Sequence, residues 1–384
     1  MHYLGSFEGR HVVFFSWRDT RNPEGGGAEV YLEQVARGLL ERGARVTIFC
    51  AAHDEAPANE VVDGLRFVRR GSKTSVYLKG MLCLLMRRFG RIDGVVDVQN
   101  GLPFFTRLLT RKPVVVLVHH VHREQWPVVY PGLTGKIGWW IESRLSPRLY
   151  RRCQYVAVSQ ATRDELVELG VDRARIAVVH NGTEPALPVA TQRSAEPSMC
   201  TVGRLVPHKQ VEHAIDACVA LREEVPGLRL TVVGSGWWED ELRNHVQRLG
   251  ASDVVEFAGH VSERRKQEVY AASWLMALPS LKEGWGLVVG EAGMHGTPTV
   301  AYSSAGGTRE SIEDGRSGLL AHDEEQFVDH LRAVLTDGDL RAQLAAGARD
   351  MSDRFTWGHA RGSFAQVLAS AMTGHTESGQ DPDE

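Results

Sequence analysis

The stretch Glu283-Gly-Trp-Gly-Leu-Val-Val-Gly-Glu291 decides how the rest of the chain is read. It follows an apolar run at 271–279 and a Ser-Leu-Lys turn, and it leads into a helix-like stretch of Gly, Val and Ala. Glu283 therefore falls at the carboxyl end of a strand. Gly284 and Gly286 let the backbone come close to a ligand, and a helix opening there turns unpaired N–H groups and a positive dipole end towards an anion. Glu291 lies farther along that helix, on a different face. One carboxylate at the mouth and one a turn or two inside can hold separate parts of a long polyhydroxylated anion.

Outward from this stretch, Gly203-Arg-Leu-Val-Pro-His-Lys209 follows the apolar residues Met199 to Val202. A strand ending in Gly, a turn with Pro207 and a helix starting near Lys209 would set Arg204 and Lys209 over a strand's carboxyl edge. Arg presents a planar fork of donors and Lys a point charge, so together they suit a diphosphate. Near the N-terminus, the loop Pro23-Glu-Gly-Gly-Gly-Ala-Glu29 lies between the apolar run at 12–16 and an amphipathic stretch carrying Tyr31, Val35 and Leu39. It reads as strand, flexible loop and helix start, able to lie against phosphate through Gly26 and Gly27. The dinucleotide spacing G-x-G-x-x-G fails here, because Val30 stands where the last Gly should be. Pro113 to His122 (PVVVLVHHVH) is a near-continuous apolar run ending in histidines, as in a buried parallel strand that delivers its last side chains to a ligand.

In this order the segments resemble the retaining, nucleotide-sugar-dependent glycosyltransferases of family 4, over about residues 10–370. The resemblance implies the GT-B fold: α/β, two doubly wound Rossmann-like domains facing each other across a cleft. It also implies an enzyme that moves a hexosyl or N-acetylhexosaminyl group from a nucleoside-diphosphate sugar, UDP-sugar favoured, to a hydroxyl of a glycan, lipid or small molecule. The catalytic group would be Glu283, His119, Arg204 and Lys209, with Glu283 on a donor hydroxyl, His119 near the reacting carbon, and the two cations on the leaving diphosphate. The donor would further meet Gly26, Gly27, Gly203, Gly234, Val261, Gly284, Trp285, Gly286 and Leu287, with Glu291 on the ribose hydroxyls and the Val261 backbone at the base. The weaker matches Ala157-Val-Ser159, His180–Glu184, Val232–Gly236 and Gly306–Glu310 add to it by their order. His120 stands where many relatives carry Asp or Gly. No acid suited to covalent capture stands out, which favours a front-face reaction in which the departing phosphate oxygen takes the acceptor's proton, with no metal and no cofactor beyond the donor itself. A dehydrogenase would need an intact glycine fingerprint, and an inactive sugar-nucleotide binder would be expected to lack one of the two acids or two cations.

Composition agrees with a two-core enzyme. The chain has 384 residues, 43% hydrophobic and 24% charged, and its net charge of −4 gives no reason to expect nucleic acid as a partner. Five widely spread cysteines have neither disulfide nor zinc spacing and read as reduced thiols of a cytoplasmic protein. The start of the chain lacks the pattern of a signal peptide, and no apolar run is long enough to span a bilayer.

Apolar runs at 12–16, 45–50, 94–98, 113–118 and 154–158 alternate with helical patterns at 28–42 and 161–169, and a second series follows near 198–203, 228–233, 254–257, 274–279 and 298–301. The expected domains are an acceptor-binding unit at 1–185, a Pro-, Ala- and Ser-rich linker at 186–197, and a donor-binding unit at 198–355. A helix at 356–372 would return to the first unit, and 373–384 would be a disordered tail. Asp337-Gly-Asp339 has the spacing of a metal-binding pair but sits between helical patterns, and the expected role is a helix cap. The basic amphipathic stretch Ser75 to Arg91 and the Trp- and Arg-rich region around Trp139 and Trp140 fit either a core-packed helix with a solvated edge or a peripheral contact with the inner face of a membrane.

Overall fold

Eight short segments of the first half carry side chains that are apolar on both faces or at an edge, and each becomes a strand. A computed structural model describes residues 7–374. The strands are β1 (His11–Phe15), β2 (Arg45–Cys50), β3 (Asn59–Val62), β4 (Leu65–Arg69), β5 (Gly94–Gln99), β6 (Val114–Val118), β7 (Gln154–Ala157) and β8 (Ile176–Val178). They form one sheet in the order β3-β4-β2-β1-β5-β6-β7-β8, parallel except for β3. Every residue of β1, β5, β6 and β7 is buried, as a parallel sheet covered on both faces requires.

The second sheet contains β9 (Ser198–Val202), β10 (Arg229–Val233), β11 (Val255–Gly259), β12 (Leu275–Leu278), β13 (Thr299–Tyr302) and β14 (Gly318–Ala321). Its order is β11-β10-β9-β12-β13-β14, all parallel. This is the doubly wound pattern: the chain moves outward one way from β9, then returns and moves outward the other way from β12. β1 and β5 hold the same central place in the first sheet.

The chain divides into two compact units, one taking in residues up to Asn181 and again from Trp357, the other Gly182–Thr356. The last helix, Trp357–Thr373, is built into the first unit. It lies so close to the helix Gly27–Leu40 that a Cβ on Gly38 would stand 2.5 Å from the Cβ of Arg361. Arg361 bonds Gln34 and pairs with Glu41 at 2.7 Å, and Phe364 stacks with Phe14 at 6.1 Å between ring centres.

Two expectations change. The stretch 186–197, read as a linker from its composition, is fastened to the second unit. The Arg193 guanidinium donates to the carbonyls of Tyr270, Ser273, His295 and Gly296 and to the Thr297 hydroxyl, gathering acceptors left open where two helices end. The strands β3, β4, β8 and β14 were not anticipated; β3 is half exposed at an edge, and β8 and β14 are only three and four residues long. Of the tail expected at 373–384, Thr373 ends the last helix, and the residues from 375 on lie outside the described ones.

Candidate functional site at the centre of the second sheet

β9 and β12 are neighbours that lead to opposite sides of the sheet, so the segments after them part and leave a crevice at their carboxyl ends. The segment after β9 carries Gly203, Arg204 and, on the short helical turn Pro207–Lys209, Lys209. The segment after β12 carries Ser280 and Glu283. Arg204, Lys209 and Ser280 line one crevice there, together with Gly203, Thr201 and Leu278. Lys209 Nζ lies 2.5 Å from Glu283 Oε1, which also accepts from Ser280 Oγ at 2.7 Å. The pair is mostly enclosed, with side chains 19% and 10% exposed.

Backbone bonds hold Glu283 in place. Its N–H donates to the Ala305 carbonyl at 2.7 Å, and its carbonyl accepts from Gly307 N–H at 3.0 Å. The Gly306–Glu310 segment is therefore clamped to the segment bearing the acid, which gives that glycine pair a role at the site. Gly234, at the end of β10, has φ +129°, and a Cβ there would stand 1.8 Å from the Gly203 carbonyl oxygen. Only glycine permits β9 and β10 to end so close together. Gly286 takes φ +86° and opens the helix Leu287–Met294, directly after Gly284 and Trp285.

Glu291 sits on that helix away from Glu283, as its spacing implies. Its Oε2 accepts from the Tyr270 hydroxyl at 2.9 Å and pairs with Lys266 at 2.9 Å. Burial works against the Lys266 charge, but Glu291 and Glu263 more than offset it and hold the ammonium above its usual range. Burial first, and Glu291 second, push the Tyr270 hydroxyl upwards as well, keeping it a neutral donor. Val261 follows β11 and packs partly against the cluster of Val233, Met276 and Leu278. The Trp285 indole is buried edge-on against Phe355 at 4.7 Å, beside Thr183 and Val289, where a large apolar ring gains from packing.

The first unit carries the remaining expected residues. His119 follows β6, is 4% exposed, and has an Nε2 without a hydrogen-bond partner. Burial, then the charges of Arg18 and His122, push its pKa down to about 3, so the ring is neutral at pH 7. Its ring meets that of Tyr31 edge-on at 5.3 Å. Gly26 and Gly27 stand at the start of the helix Gly27–Leu40, but the Gly26 N–H is already given to Glu29 Oε2 at 2.8 Å. Glu29 is buried and pairs with Arg18 at 2.6 Å, so an internal carboxylate occupies one N–H that was expected to face phosphate. His120 bonds Gln125, and His122 pairs with the buried Glu142 at 3.1 Å.

Ser280, Tyr270, Lys266 and the Arg18–Glu29 pair were not singled out from the sequence. Lys266 and Tyr270 share one helix face at a spacing of four, a pattern too common to be a signal. Asp337 accepts from the N–H groups of Asp339 and Leu340 and so caps the helix Gly338–Arg354. Among the described residues no three His, Cys, Asp or Glu side chains cluster so as to hold a metal ion.

Comparison with known proteins gives the family and the fold. The model described as Glycosyltransferase Family 4 matches residues 25–187, and that described as Glycosyl transferases group 1 matches residues 187–351. A D-inositol 3-phosphate glycosyltransferase of Xylanimonas cellulosilytica is 32% identical, the match covering 91% of this chain and 92% of that protein. Among solved structures, the sucrose-phosphate synthase of Thermosynechococcus elongatus has a TM-score of 0.81 at 18% identity, covering 95% of this chain and 100% of that one. Anabaena Alr3699/HepE in complex with UDP-glucose has a TM-score of 0.73 at 20% identity, covering 94% and 99%.

Proposed function

The chain belongs to the family 4 glycosyltransferases, with the two Rossmann-like domains of the GT-B fold, and from that premise we propose that it transfers a hexosyl or N-acetylhexosaminyl group from a UDP-sugar to a hydroxyl acceptor with retention of configuration. The observation that carries this reading is the Lys209–Glu283 pair beside Arg204 at the centre of the second sheet. A cation pair there neutralises a departing diphosphate, and the adjacent carboxylate takes a sugar hydroxyl. Glu291, oriented by Tyr270 and Lys266, is the acceptor for the ribose hydroxyls.

In this mechanism the bond from the anomeric carbon to the diphosphate oxygen breaks and the acceptor oxygen bonds to the same face. The acceptor's proton passes to the departing phosphate oxygen, so atoms and charge balance without an enzyme nucleophile. Catalysis is then mostly positioning and charge stabilisation. For the first unit, His119 offers its open Nε2 as a neutral group to a sugar hydroxyl. The positive field comes from Arg204, Lys209 and the helix opening at Gly286, so no metal is required.

The test is a screen of UDP-sugars against glycan, lipid and small-molecule acceptors, with D-inositol 3-phosphate among them because the 32% identical relative is named for it. UDP release that needs an acceptor supports the reading. Proton NMR of fresh product, with and without EDTA, checks the rest. An inverted anomer overturns the front-face mechanism, and loss of transfer in EDTA with rescue by a divalent cation overturns the metal-free site.

A further inference from the structure

The apolar side chains that this protein leaves in water are concentrated in one part of the first unit. On the helix Val76–Leu85, the inner face is Val76, Gly80 and Leu84, and a Cβ on Gly80 would meet Phe104 and Phe49 at 2.9 Å. The outer face carries Leu78, Leu82 and Leu85 at a spacing of four and three, and Leu85 is 63% exposed. With the inner face already packed, a folded monomer has no reason to place a leucine stripe on the outer side of the helix. The helix Leu133–Trp140 repeats the arrangement. Leu133, Ile137 and Trp140 stand on one outer face at the same spacing, and Leu133 is 73% exposed. The two helices share packing: Phe104 lies under Gly80 of the first, and Trp126 packs both on Gly101, three residues before Phe104, and on Gly138 of the second.

Charge follows the same segment. Residues 76–152 contain thirteen Lys and Arg against four Asp and Glu, in a chain whose net charge is −4. None of the four acids stands in the open: Asp97 and Glu142 are buried, and Asp93 and Glu124 are half-buried. Lys79, Arg87 and Arg88 are exposed beside the first leucine stripe, and Lys136, Arg144 and Arg148 are exposed along and beyond the second. Apolar ridges, an interfacial Trp and Tyr, and flanking cations together match a surface with an apolar interior and an anionic skin.

We infer that this face of the first unit docks on a bilayer containing anionic lipid, with the two apolar stripes entering the headgroup boundary and the cations meeting the lipid phosphates. A second copy is disfavoured as the occupant, since a two-fold interface would set the same cationic patch against itself. No described helix is long and apolar enough to cross a membrane, so the contact is peripheral. The inference needs no turnover and stands apart from the transferase reading.

Flotation with phosphatidylcholine vesicles, with and without phosphatidylglycerol, tests it. The protein should float only with the anionic vesicles, and less as salt is raised. Leu133→Ser with Ile137→Ser and Trp140→Ser should weaken that binding by roughly tenfold or more, as should Arg87→Glu with Arg88→Glu and Arg144→Glu. Circular dichroism and UDP affinity of both variants, unchanged because none of these residues touches the proposed donor site, exclude misfolding. Absence of vesicle binding overturns the inference. So does unaltered binding by the folded variants, or an apolar variant whose change is from oligomer to monomer in sedimentation, which would assign the face to a second copy.

Discussion

Replacement of Lys209 separates two forces that meet at one carboxylate. Glu283 Oε1 accepts from Lys209 Nζ at 2.5 Å and from the Ser280 hydroxyl at 2.7 Å. A diphosphate in the crevice would draw on the same ammonium. Lys209→Ala removes a charged hydrogen-bond donor worth about 1.5–3 kcal/mol, so UDP should bind about 10- to 150-fold more weakly. It also leaves an enclosed carboxylate with a neutral partner only, costing stability by about 1–3 kcal/mol. Glu283→Ala acts in the opposite sense on the nucleotide: it frees Lys209 and removes a negative charge beside the phosphates. UDP affinity should then hold or rise while turnover with the full donor falls. The double variant should be less unstable than the sum of the singles by about 1–3 kcal/mol, since neither partner is stranded. Titration calorimetry with UDP and urea unfolding of the three variants measure all of this. A wild-type Kd in Lys209→Ala, or equal weakening in Glu283→Ala, would refute the placing of the diphosphate.

Three more predictions rest on single groups. The unfolded His119 has its pKa near 6.5 and the folded one at about 3, so the stability from keeping it neutral is present above pH 6.5 and is lost as pH falls from there towards 3. Relative to His119→Gln, the wild type should lose about 2 kcal/mol between pH 7 and pH 5, and parallel urea midpoints for the two proteins would contradict this. Arg193→Ala strands several carbonyl groups at two helix ends and should destabilise the second unit by about 1–3 kcal/mol, read as a lower unfolding temperature that excess UDP partly restores. Gly234→Ala forces a Cβ against the Gly203 carbonyl at 1.8 Å and a backbone of φ +129°, so about 3 kcal/mol is expected, or roughly 6–12 °C in scanning calorimetry. An unshifted transition would mean that the turn relaxes freely.

The sheets were legible because their central strands are unbroken apolar runs. Val114–Val118 has no polar residue, and nothing except a strand buried on both faces uses such a segment beside histidines and a helix signal. Edge strands lack that constraint: in Asn59–Val62 each side chain is exposed or half-buried, so the alternation that would reveal it is weak. The stretch 186–197 failed for a different reason. Its Pro, Ala and Ser residues describe the chain's own preferences, whereas its place is set by partners some eighty to a hundred positions away, among them the carbonyls that Arg193 reaches and the bonds of Leu187 to Gln267 and Ser194 to Ala272. At the site, Arg204, Lys209 and Glu283 could be found because charged side chains after strand ends are conspicuous. Ser280 and Tyr270 were not, since a hydroxyl bonded to a carboxylate has no pattern in sequence.

The return of the last helix to the first unit bears on how the polypeptide is made. Everything the second unit needs for its sheet lies in one unbroken span, Gly182–Thr356, and is complete once that span has left the ribosome. The first unit begins synthesis earlier but is missing a wall: Tyr31, Phe14 and Gly38 have no cover until the segment bearing Trp357, Phe364 and Arg361 emerges. The half translated first is thus the half that closes last, and throughout that delay its open groove is the part of the nascent chain a chaperone would meet.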